Sequence, residues 1–268
     1  MEGIAERIMK KTEKKKQQVI YYTDELNDEF STAVITPKYI GKDWRYIHTS
    51  FWKKLTHFFW YRIVAVPIAF FYLKCKFSHK IVGRKKIKGY SGYFLYGNHT
   101  QPTADALIPT FVSRPKDVYV IVHANNVSMP VLGAVTPSLG AMPLPDDLQA
   151  TKNFIQAVEY RIKQKKVVCI YPEAHIWPYY TGIRPFTDKS FHYPVKYNTP
   201  VFCFTNTYQK GAFRRIKLVT YVDGPFFPKE ELSLKERKEA LREEVYAAMC
   251  ERAKNNQVEK IKYIKKDD

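Results

Sequence analysis

The chain has 268 residues, 45% of them hydrophobic and 15% aromatic, which suits one sizeable folded domain with an extension. Its formal net charge of +18 favours a polyanionic partner, either nucleic acid or an anionic membrane face. The first twenty residues carry Lys and Glu and have no apolar core, so we expect no cleavable signal peptide in them.

The four cysteines lie far apart in the sequence and form no CxxC pair. Cys169 and Cys203 lie in apolar runs, so we expect them to be reduced thiols in the core of the protein. Reduced thiols are typical of a cytosolic compartment.

Composition divides the chain into three segments. Residues 1–50 form a charged extension, whose lysine-rich start predicts a solvated helix or a tail. Residues 51–79 are apolar and aromatic and predict a helical segment, and residues 80–268 predict a folded domain.

The helical segment FWKKLTHFFWYRIVAVPIAFFYLKCKF carries a single charge, Arg62, between Phe58 and Leu73. A helix that spans a membrane needs about 20 apolar residues, whereas this run is shorter and contains Pro67. Lysines flank it, and Trp and Tyr lie towards its ends, as at a membrane–water interface. We predict a helix that lies in, or dips into, one leaflet, with a buried core helix or a single span as alternatives.

Five cationic residues follow within residues 80–88. The alternation after Gly83 predicts a strand with a basic outer face. Near an anionic membrane each cation contributes about 1 kcal/mol. The segment therefore contacts phosphate headgroups or forms a solvated strand edge.

Short apolar runs alternate with helical patterns over the rest of the chain. The runs that predict strands are 92–96, 117–122, 166–171, 200–204 and 215–222. The predicted helices run from a cap at Asp146 or Asp147 to about Lys163, over 190–197 with an interruption at Pro194, and over 232–254. This alternation predicts an α/β fold, with a mostly parallel sheet flanked by helices and preceded by the membrane-associated helix.

Polar clusters follow two of the predicted strands. Asn98, His99 and Asp105 come after the first, and Glu173 and His175 come after the third. Open α/β sheets bind ligands where a strand gives way to a helix. A histidine and a carboxylate at such a junction can act as a base and the group that orients it.

Over roughly residues 80–224 the chain resembles the glycerophospholipid acyltransferases, the family of 1-acyl-glycerol-3-phosphate acyltransferase. Asn98-His99 and Asp105 match that family's Asn-His-x4-Asp motif, and residues 171–174 match its Phe-Pro-Glu-Gly motif. Residues 140–144 lie where the family has a Gly-x5-Arg stretch, and residues 199–204 match its Val-Pro-Ile-Val-Pro type of strand. The resemblance implies the fold described above and makes residues 80–268 an acyltransferase domain.

The first and second motifs depart from the family pattern. Five residues, not four, separate His99 from Asp105, so the turn must absorb one extra residue, and Pro102 marks where this happens. The second motif has no arginine near Leu144. These departures mark a divergent branch.

The third motif departs as well, with Ala174 in place of glycine and Ile176 in place of the arginine. A phosphate on the substrate would need a cation. We expect Arg184 to supply it, with Lys189 as the second choice.

The resemblance implies transfer of a fatty acyl group from acyl-CoA or an acyl carrier protein to a lysophospholipid, with 1-acyl-glycerol-3-phosphate as the first candidate. His99 would be the general base, held by Asp105, and Asn98 and Glu173 would help to bind and position the acceptor. Backbone N–H groups after His99 would stabilise the oxyanion. The reaction requires no metal and no cofactor. We expect the protein to be peripheral or monotopic on the cytoplasmic face of the cytoplasmic membrane, with anionic lipid and no nucleic acid as its partner.

Two other classes of protein stay open. In the first, a metal-dependent hydrolase uses the His/Asp/Glu cluster as ligands, although the spacing matches no metal motif. The candidate ligands are His99, Asp105, His123, Glu173 and His175. In the second, the chain is a non-catalytic basic protein that binds a membrane surface or nucleic acid and would tolerate the loss of His99.

Overall fold

The computed structural model describes residues 17–31, 35–212 and 215–266. The predicted lysine-rich start lies mostly outside the described residues. The strands are β1 Gln18–Tyr22, β2 Lys80–Val82, β3 Tyr93–Gly97, β4 Val118–Val122, β5 Ala141–Pro143, β6 Val167–Ile170, β7 Val201–Lys210, β8 Ile216–Phe226 and β9 Ile261–Lys265. The helices are α1 Phe51–Phe77, α2 Ile108–Ser113, α3 Asn125–Ser128, α4 Leu132–Val135, α5 Leu148–Lys163, α6 His192–Lys196 and α7 Leu234–Ala253. Short 3-10 helices are Arg84–Ile87, Ala104–Ala106, Thr136–Leu139 and Lys189–Phe191.

Seven of the strands form one sheet in the order β2-β8-β7-β3-β6-β4-β5. The five strands β7, β3, β6, β4 and β5 run parallel, whereas β8 is antiparallel to β7 and β2 follows the direction of β8. The predicted mostly parallel sheet is confirmed. β3 lies between β6 and β7, and all five of its residues are buried.

Each face of the sheet carries its own apolar core. Phe94 and Tyr96 of β3 belong to the core that includes α5 and α7, and Tyr93 and Leu95 belong to the core that includes α1 and α2. This division follows from the two-residue period of a strand. Helices therefore flank both faces, as predicted.

Helix α5 begins at the predicted cap. The Asp147 carboxylate accepts the backbone N–H of Ala150 at 2.6 Å, which satisfies one of the unpaired donors of the first turn. Phe154 and Val158 are buried, whereas Leu148 is 85% exposed, because α5 meets the core only from Ala150 onwards.

The predicted strand over residues 80–88 is wrong beyond β2. Gly83 has a φ of 82°, in the left-handed region, and turns the chain into the 3-10 helix Arg84–Ile87. A Cβ at Gly83 would lie 2.5 Å from the carbonyl oxygen of Val222, so only glycine fits here without a shift of the backbone. The basic residues of this segment therefore lie on a turn. Pro194 likewise lies within α6 and does not interrupt it.

Helix α1 is one continuous helix of 27 residues, long and apolar enough to cross a membrane. Pro67 does not interrupt it, because residues 59–65 widen into a π-helical turn just before the proline. One side packs on the sheet through Ala69, Leu73 and Phe77. The other side exposes large apolar side chains, namely Phe51, Trp52, Leu55, Phe58, Phe59, Trp60, Ile63, Ile68, Phe70 and Phe71.

The segment before α1 packs against the domain. β1 pairs in parallel with β9, and Ile40 is completely buried beside α5. The predicted division at residue 50 therefore does not separate two packing units in the part of the extension that the structure describes.

Candidate active site

Three of the predicted site residues lie at the carboxyl ends of the central strands β3 and β6. Asn98 and His99 directly follow β3, and Glu173 lies in the loop after β6. Asn206, which the sequence did not single out, lies within the neighbouring β7. Parallel strands place their carboxyl ends at one edge of the sheet, where open α/β sheets form their ligand sites.

His99 and Asp105 form a direct pair. The imidazole Nδ1 lies 2.8 Å from Asp105 Oδ2, and the His99 side chain is 25% exposed while that of Asp105 is 3% exposed. The extra residue is absorbed in the turn at Pro102 and Thr103, as predicted, before the 3-10 helix that carries Asp105. The bond at Nδ1 fixes the tautomer and leaves Nε2 to act as the base.

Three donors hold the Asp105 carboxylate. Besides His99, the backbone N–H of Gln101 donates to Oδ2 at 2.8 Å, and the Asn206 amide donates to Oδ1 at 3.2 Å. Burial raises the pKa of Asp105, and the bonds from His99 and Gln101 oppose that rise. This carboxylate can orient an imidazole and stabilise its charged form.

Asn98 fastens β3 to β7. Its amide donates to the carbonyl oxygen of Asn206 at 3.1 Å, and its own oxygen accepts the Asn206 N–H at 2.8 Å. Asn98 is 1% exposed. The structure thus gives Asn98 a role in positioning Asn206, and through it Asp105.

Glu173 joins the loop after β6 to the loop after β3. Its Oε2 accepts the backbone N–H of His99 at 2.9 Å, and its Oε1 accepts the backbone N–H of Arg184 at 3.0 Å. Burial raises the pKa of Glu173, and the charge of Arg184 opposes that rise. Glu173 therefore sets the position of the His99 backbone.

Tyr171 contacts both members of the pair. Its ring stacks on the His99 ring with 4.7 Å between centroids, and its hydroxyl donates to the backbone carbonyl of Asp105 at 2.5 Å. The family has phenylalanine in this motif, so the hydroxyl is a feature of this chain. It ties the end of β6 to the 3-10 helix that carries Asp105.

A chain of hydrogen bonds leads from Asp105 to the end of α1. The Thr220 hydroxyl donates to Asn206 Oδ1 at 2.7 Å and lies 2.8 Å from His79 Nε2. Since that hydroxyl is already donating, it accepts from His79, whose Nε2 therefore carries a proton. Sequence reasoning missed Asn206, Thr220 and His79. The available signal was the polar run 205–207 directly after the apolar run 201–204 that predicts a buried strand.

Arg184 does not lie in an open phosphate site. Its side chain is completely buried, and its guanidinium donates to the carbonyl oxygens of Glu25, Glu173 and His175 and lies over the Trp177 ring. The expected phosphate contact is therefore wrong, because these contacts hold the guanidinium inside the loop.

Lys189, the second predicted cation, is exposed at the start of the 3-10 helix Lys189–Phe191. Phe191 of that helix stacks on Tyr96, on the α5 and α7 side of the sheet. Asp105 instead lies next to Ala104 in the core of the other side. The structure therefore does not bring Lys189 into contact with the His99–Asp105 pair.

The five candidate metal ligands do not converge. His123 is exposed, and His175 lies 3.3 Å from Glu29 at the surface. Within residues 17–31, 35–212 and 215–266, no three His, Cys, Asp or Glu side chains are arranged to hold a metal ion. The hydrolase alternative thus lacks its ligand cluster among these residues.

Three backbone N–H groups at or near His99 already donate hydrogen bonds within the protein. The N–H of His99 donates to Glu173, that of Gln101 to Asp105, and that of Asp105 to the Gln101 carbonyl. The expected oxyanion donors are therefore not these three groups.

Comparison with known proteins agrees with this geometry. Residues 78–205, which contain both polar clusters, match the sequence model of the Acyltransferase family. A search of curated proteins finds no match to the chain.

A solved structure shares the fold. It is the crystal structure of the 1-acyl-sn-glycerophosphate (LPA) acyltransferase PlsC from Thermotoga maritima, with a TM-score of 0.51 and 18% sequence identity. The match covers 77% of this chain and 81% of the other. At this identity the likeness concerns the fold. Residues 78–205 are therefore similar in sequence to the Acyltransferase family, and the chain as a whole shares the fold of this solved acyltransferase.

Proposed function

We propose that the chain transfers a fatty acyl group from an acyl thioester to a lysophospholipid, with 1-acyl-glycerol-3-phosphate as the first candidate acceptor. The observation that carries the proposal is the His99–Asp105 pair at 2.8 Å, inside the matched Acyltransferase region. Within the described part of the chain, His99 Nε2 makes no hydrogen bond, so it is free to take a proton. The fold shared with PlsC supports the choice of acceptor.

The pair supplies what the reaction needs. A hydroxyl is a weak nucleophile at neutral pH, so His99 Nε2 removes its proton as the oxygen attacks the thioester carbonyl carbon. The new C–O bond forms, the C–S bond breaks, and the departing sulfur takes the proton back from His99. Asp105 stabilises the imidazolium between these two steps. No acyl-enzyme is required.

Substrate contacts belong to the same proposal. Asn98 and Glu173 position the acceptor through the backbone that they hold. The described residues bring neither predicted cation, Arg184 or Lys189, to the His99–Asp105 pair, so the acceptor phosphate is assigned to neither. The net charge of +18 suits an acidic donor, either acyl-CoA or an acyl carrier protein.

Helix α1 is the proposed membrane contact, on the cytoplasmic face of the cytoplasmic membrane. Its exposed side carries aromatic and aliphatic side chains, as in helices that lie in an interface. Replacing Trp52, Phe59 and Ile63 with serine should release the protein from vesicles in a flotation assay. Leu148→Ser with Leu234→Ser, at exposed apolar residues outside α1, is the matched control. Equal binding by all three proteins would show that α1 is not the contact.

Acyl transfer tests the reaction itself. Wild type, His99→Ala and His123→Ala would be given a radiolabelled acyl thioester and a panel of lysolipids. We expect transfer by wild type and by His123→Ala, the exposed-histidine control, and a loss of at least about 100-fold in His99→Ala. Equal transfer by all three, or none by wild type, would favour the non-catalytic membrane-surface protein.

A further inference from the structure

A large cavity lies beneath the first half of α1, at the other end of the sheet from His99. Its volume is about 1150 Å³. It is bounded by α1, residues 43–48, the start of β4 and the end of α5. Val118, at the start of β4, and Tyr93, at the start of β3, both pair with Val167 of β6, so they lie at the same height in the sheet. His99 lies six residues after Tyr93. At the rise of a β-strand this puts the cavity about 20 Å from His99.

The cavity is strongly basic. The lining contains six Lys or Arg side chains against two acidic ones, namely Arg45, Lys53, Lys54, Arg62, Arg161 and Lys166 against Asp43 and Asp117. Asp117 is already neutralised by Arg62 and by Lys166, the latter at 2.5 Å. Among the described residues, the remaining four cations form no ion pair. The cavity therefore keeps an excess of positive charge.

Arg161 is a buried cation of the cavity lining, and two contacts fix its guanidinium. It is 9% exposed, its Nη2 donates to the Tyr46 carbonyl at 3.0 Å, and its guanidinium lies 4.1 Å from the centre of the Tyr119 ring. Its Nε is buried and has no hydrogen-bond partner among the described residues. A buried donor left unpaired in a basic cavity is the arrangement that an anion would complete.

His57 on α1 also has a buried nitrogen atom without a hydrogen-bond partner among the described residues. Its Nδ1 donates to the Ser138 carbonyl at 2.7 Å, and its ring stacks on Tyr61 and Tyr119. Its Nε2 is buried without a hydrogen-bond partner, and the nearest acidic oxygen, on Asp117, is 4.0 Å away. Since Nδ1 is the donor, Nε2 of the neutral ring is an acceptor, and the unpaired donor of the cavity is Arg161 Nε.

The positive charge of the cavity affects the pKa of His48, which also lines it. Burial lowers the pKa of His48, and the charges of Lys53, Arg161 and Arg45 lower it further. The positive charge of the site therefore does not depend on His48.

Helix α1 places the cavity at a membrane surface. Its inner side lines the cavity with Lys54, His57 and Arg62, while its outer side exposes Trp52 and Ile63 to the surroundings. A helix that buries its apolar side at the boundary of headgroups and acyl chains leaves its polar side at headgroup level. The cavity would then open where lipid phosphates lie.

We propose that this cavity is a second binding site, separate from His99, for the phosphate headgroup of an anionic phospholipid. Arg161 would bind the phosphate oxygens, with Lys53 and Lys54 nearer the entrance. The volume suits a whole headgroup with its glycerol. The proposal rests on the membrane location proposed above, and not on acyl transfer.

Binding of a monomeric short-chain lipid tests the site without a membrane. Dihexanoyl phosphatidic acid, dihexanoyl phosphatidylcholine and adenosine 3′,5′-bisphosphate would each be titrated calorimetrically into wild type, Arg161→Met and Lys152→Met. Lys152→Met removes an exposed cation from the same helix outside the cavity. We expect phosphatidic acid to bind wild type and Lys152→Met alike, and Arg161→Met at least about tenfold more weakly.

Each other outcome overturns the proposal. Equal affinity in Arg161→Met would place the phosphatidic acid elsewhere, and equal affinity for the choline lipid would show that charge is not recognised. Tighter binding of the bisphosphate, lost in Arg161→Met, would assign the cavity to a soluble phosphate ester.

Lipid binding and acyl transfer by a second variant test the same proposal. A Lys53→Met, Lys54→Met variant tests the entrance with side chains that are exposed, so its folding is not at risk. Acyl transfer between soluble substrates should be unchanged in this variant. Loss of lipid binding with normal transfer supports the second site, and loss of both would show that the cavity is part of the transfer site.

Discussion

The carboxylate of Glu173 accepts the backbone N–H of His99 at 2.9 Å, and so joins the two polar loops of the site. Its other oxygen accepts the N–H of Arg184 at 3.0 Å. Both carboxylate oxygens are therefore committed to the backbone, and the position of the base depends on a residue 74 positions away.

Replacing Glu173 should cost stability as well as activity. Glu173→Ala leaves two backbone N–H groups unpaired, and we expect the free energy of unfolding to fall by about 2–4 kcal/mol. Glu173→Gln keeps one acceptor oxygen and should lose less. Urea unfolding of the three proteins measures both changes, and an alanine variant as stable as wild type would contradict the assignment.

Asp105→Asn should lower the rate of catalysis and leave the protein folded. The amide keeps the size of the carboxylate but cannot stabilise the imidazolium, so kcat should fall by about 10²–10⁴ with little change in KM. Steady-state kinetics and a thermal melt check this. Asp188→Asn, at a half-buried ion pair with Lys238 away from the His99–Asp105 pair, is the control. Normal turnover in Asp105→Asn would remove Asp105 from the mechanism.

Tyr171→Phe restores the residue of the family motif. The ring that stacks on His99 remains, and the bond to the Asp105 carbonyl is lost. We expect the free energy of unfolding to fall by about 1 kcal/mol and kcat to fall modestly, since one buried acceptor is left unpaired. A variant with unchanged stability and turnover would show that the hydroxyl has no role in holding Asp105.

His79 should make stability depend on pH. Burial, with the charge of Lys74, lowers its pKa to about 4. Below about pH 6.5 the His79 imidazole of the unfolded chain takes up a proton, whereas that of the folded chain does so only near pH 4. The stability that depends on the neutral ring is therefore lost as the pH falls from about 6.5 to about 4. Full loss amounts to about 3 kcal/mol.

Unfolding by urea at pH 7 and pH 5 measures the effect. His79→Gln keeps a donor for Thr220 without the titration, and its stability should change less between the two values. His123→Gln, at the surface, should behave as wild type does. Parallel behaviour of wild type and His79→Gln would contradict the prediction.

Ala174 carries backbone strain. Its φ of 60° lies in the left-handed region, which explains the glycine of the family motif. Ala174→Gly should raise the free energy of unfolding by up to about 1 kcal/mol, because relief of strain exceeds the added chain entropy. Ala247→Gly, in the exposed middle of α7, should lower it by about 1 kcal/mol. A loss of stability in both variants would show that Ala174 is unstrained.

Local patterns in the sequence were enough for the scaffold of the site. Alternation of apolar runs and helical periods predicted the parallel sheet, and the Asp147 cap predicted the start of α5. The likeness to the family motif paired His99 with Asp105 in spite of one extra residue between them. Each of these depends on residues within about one strand or one turn of each other, where backbone geometry leaves few choices.

Tertiary structure decided what those patterns left open. Arg184 is buried because residues 22–30 and β9 cover its loop, and Asn206 reaches Asp105 because β7 lies beside β3. The basic cavity likewise needs α1, α5 and the edge of the sheet together. Such contacts join residues about a hundred or more positions apart, and their partners follow from strand order and layer packing, which no local sequence pattern specifies.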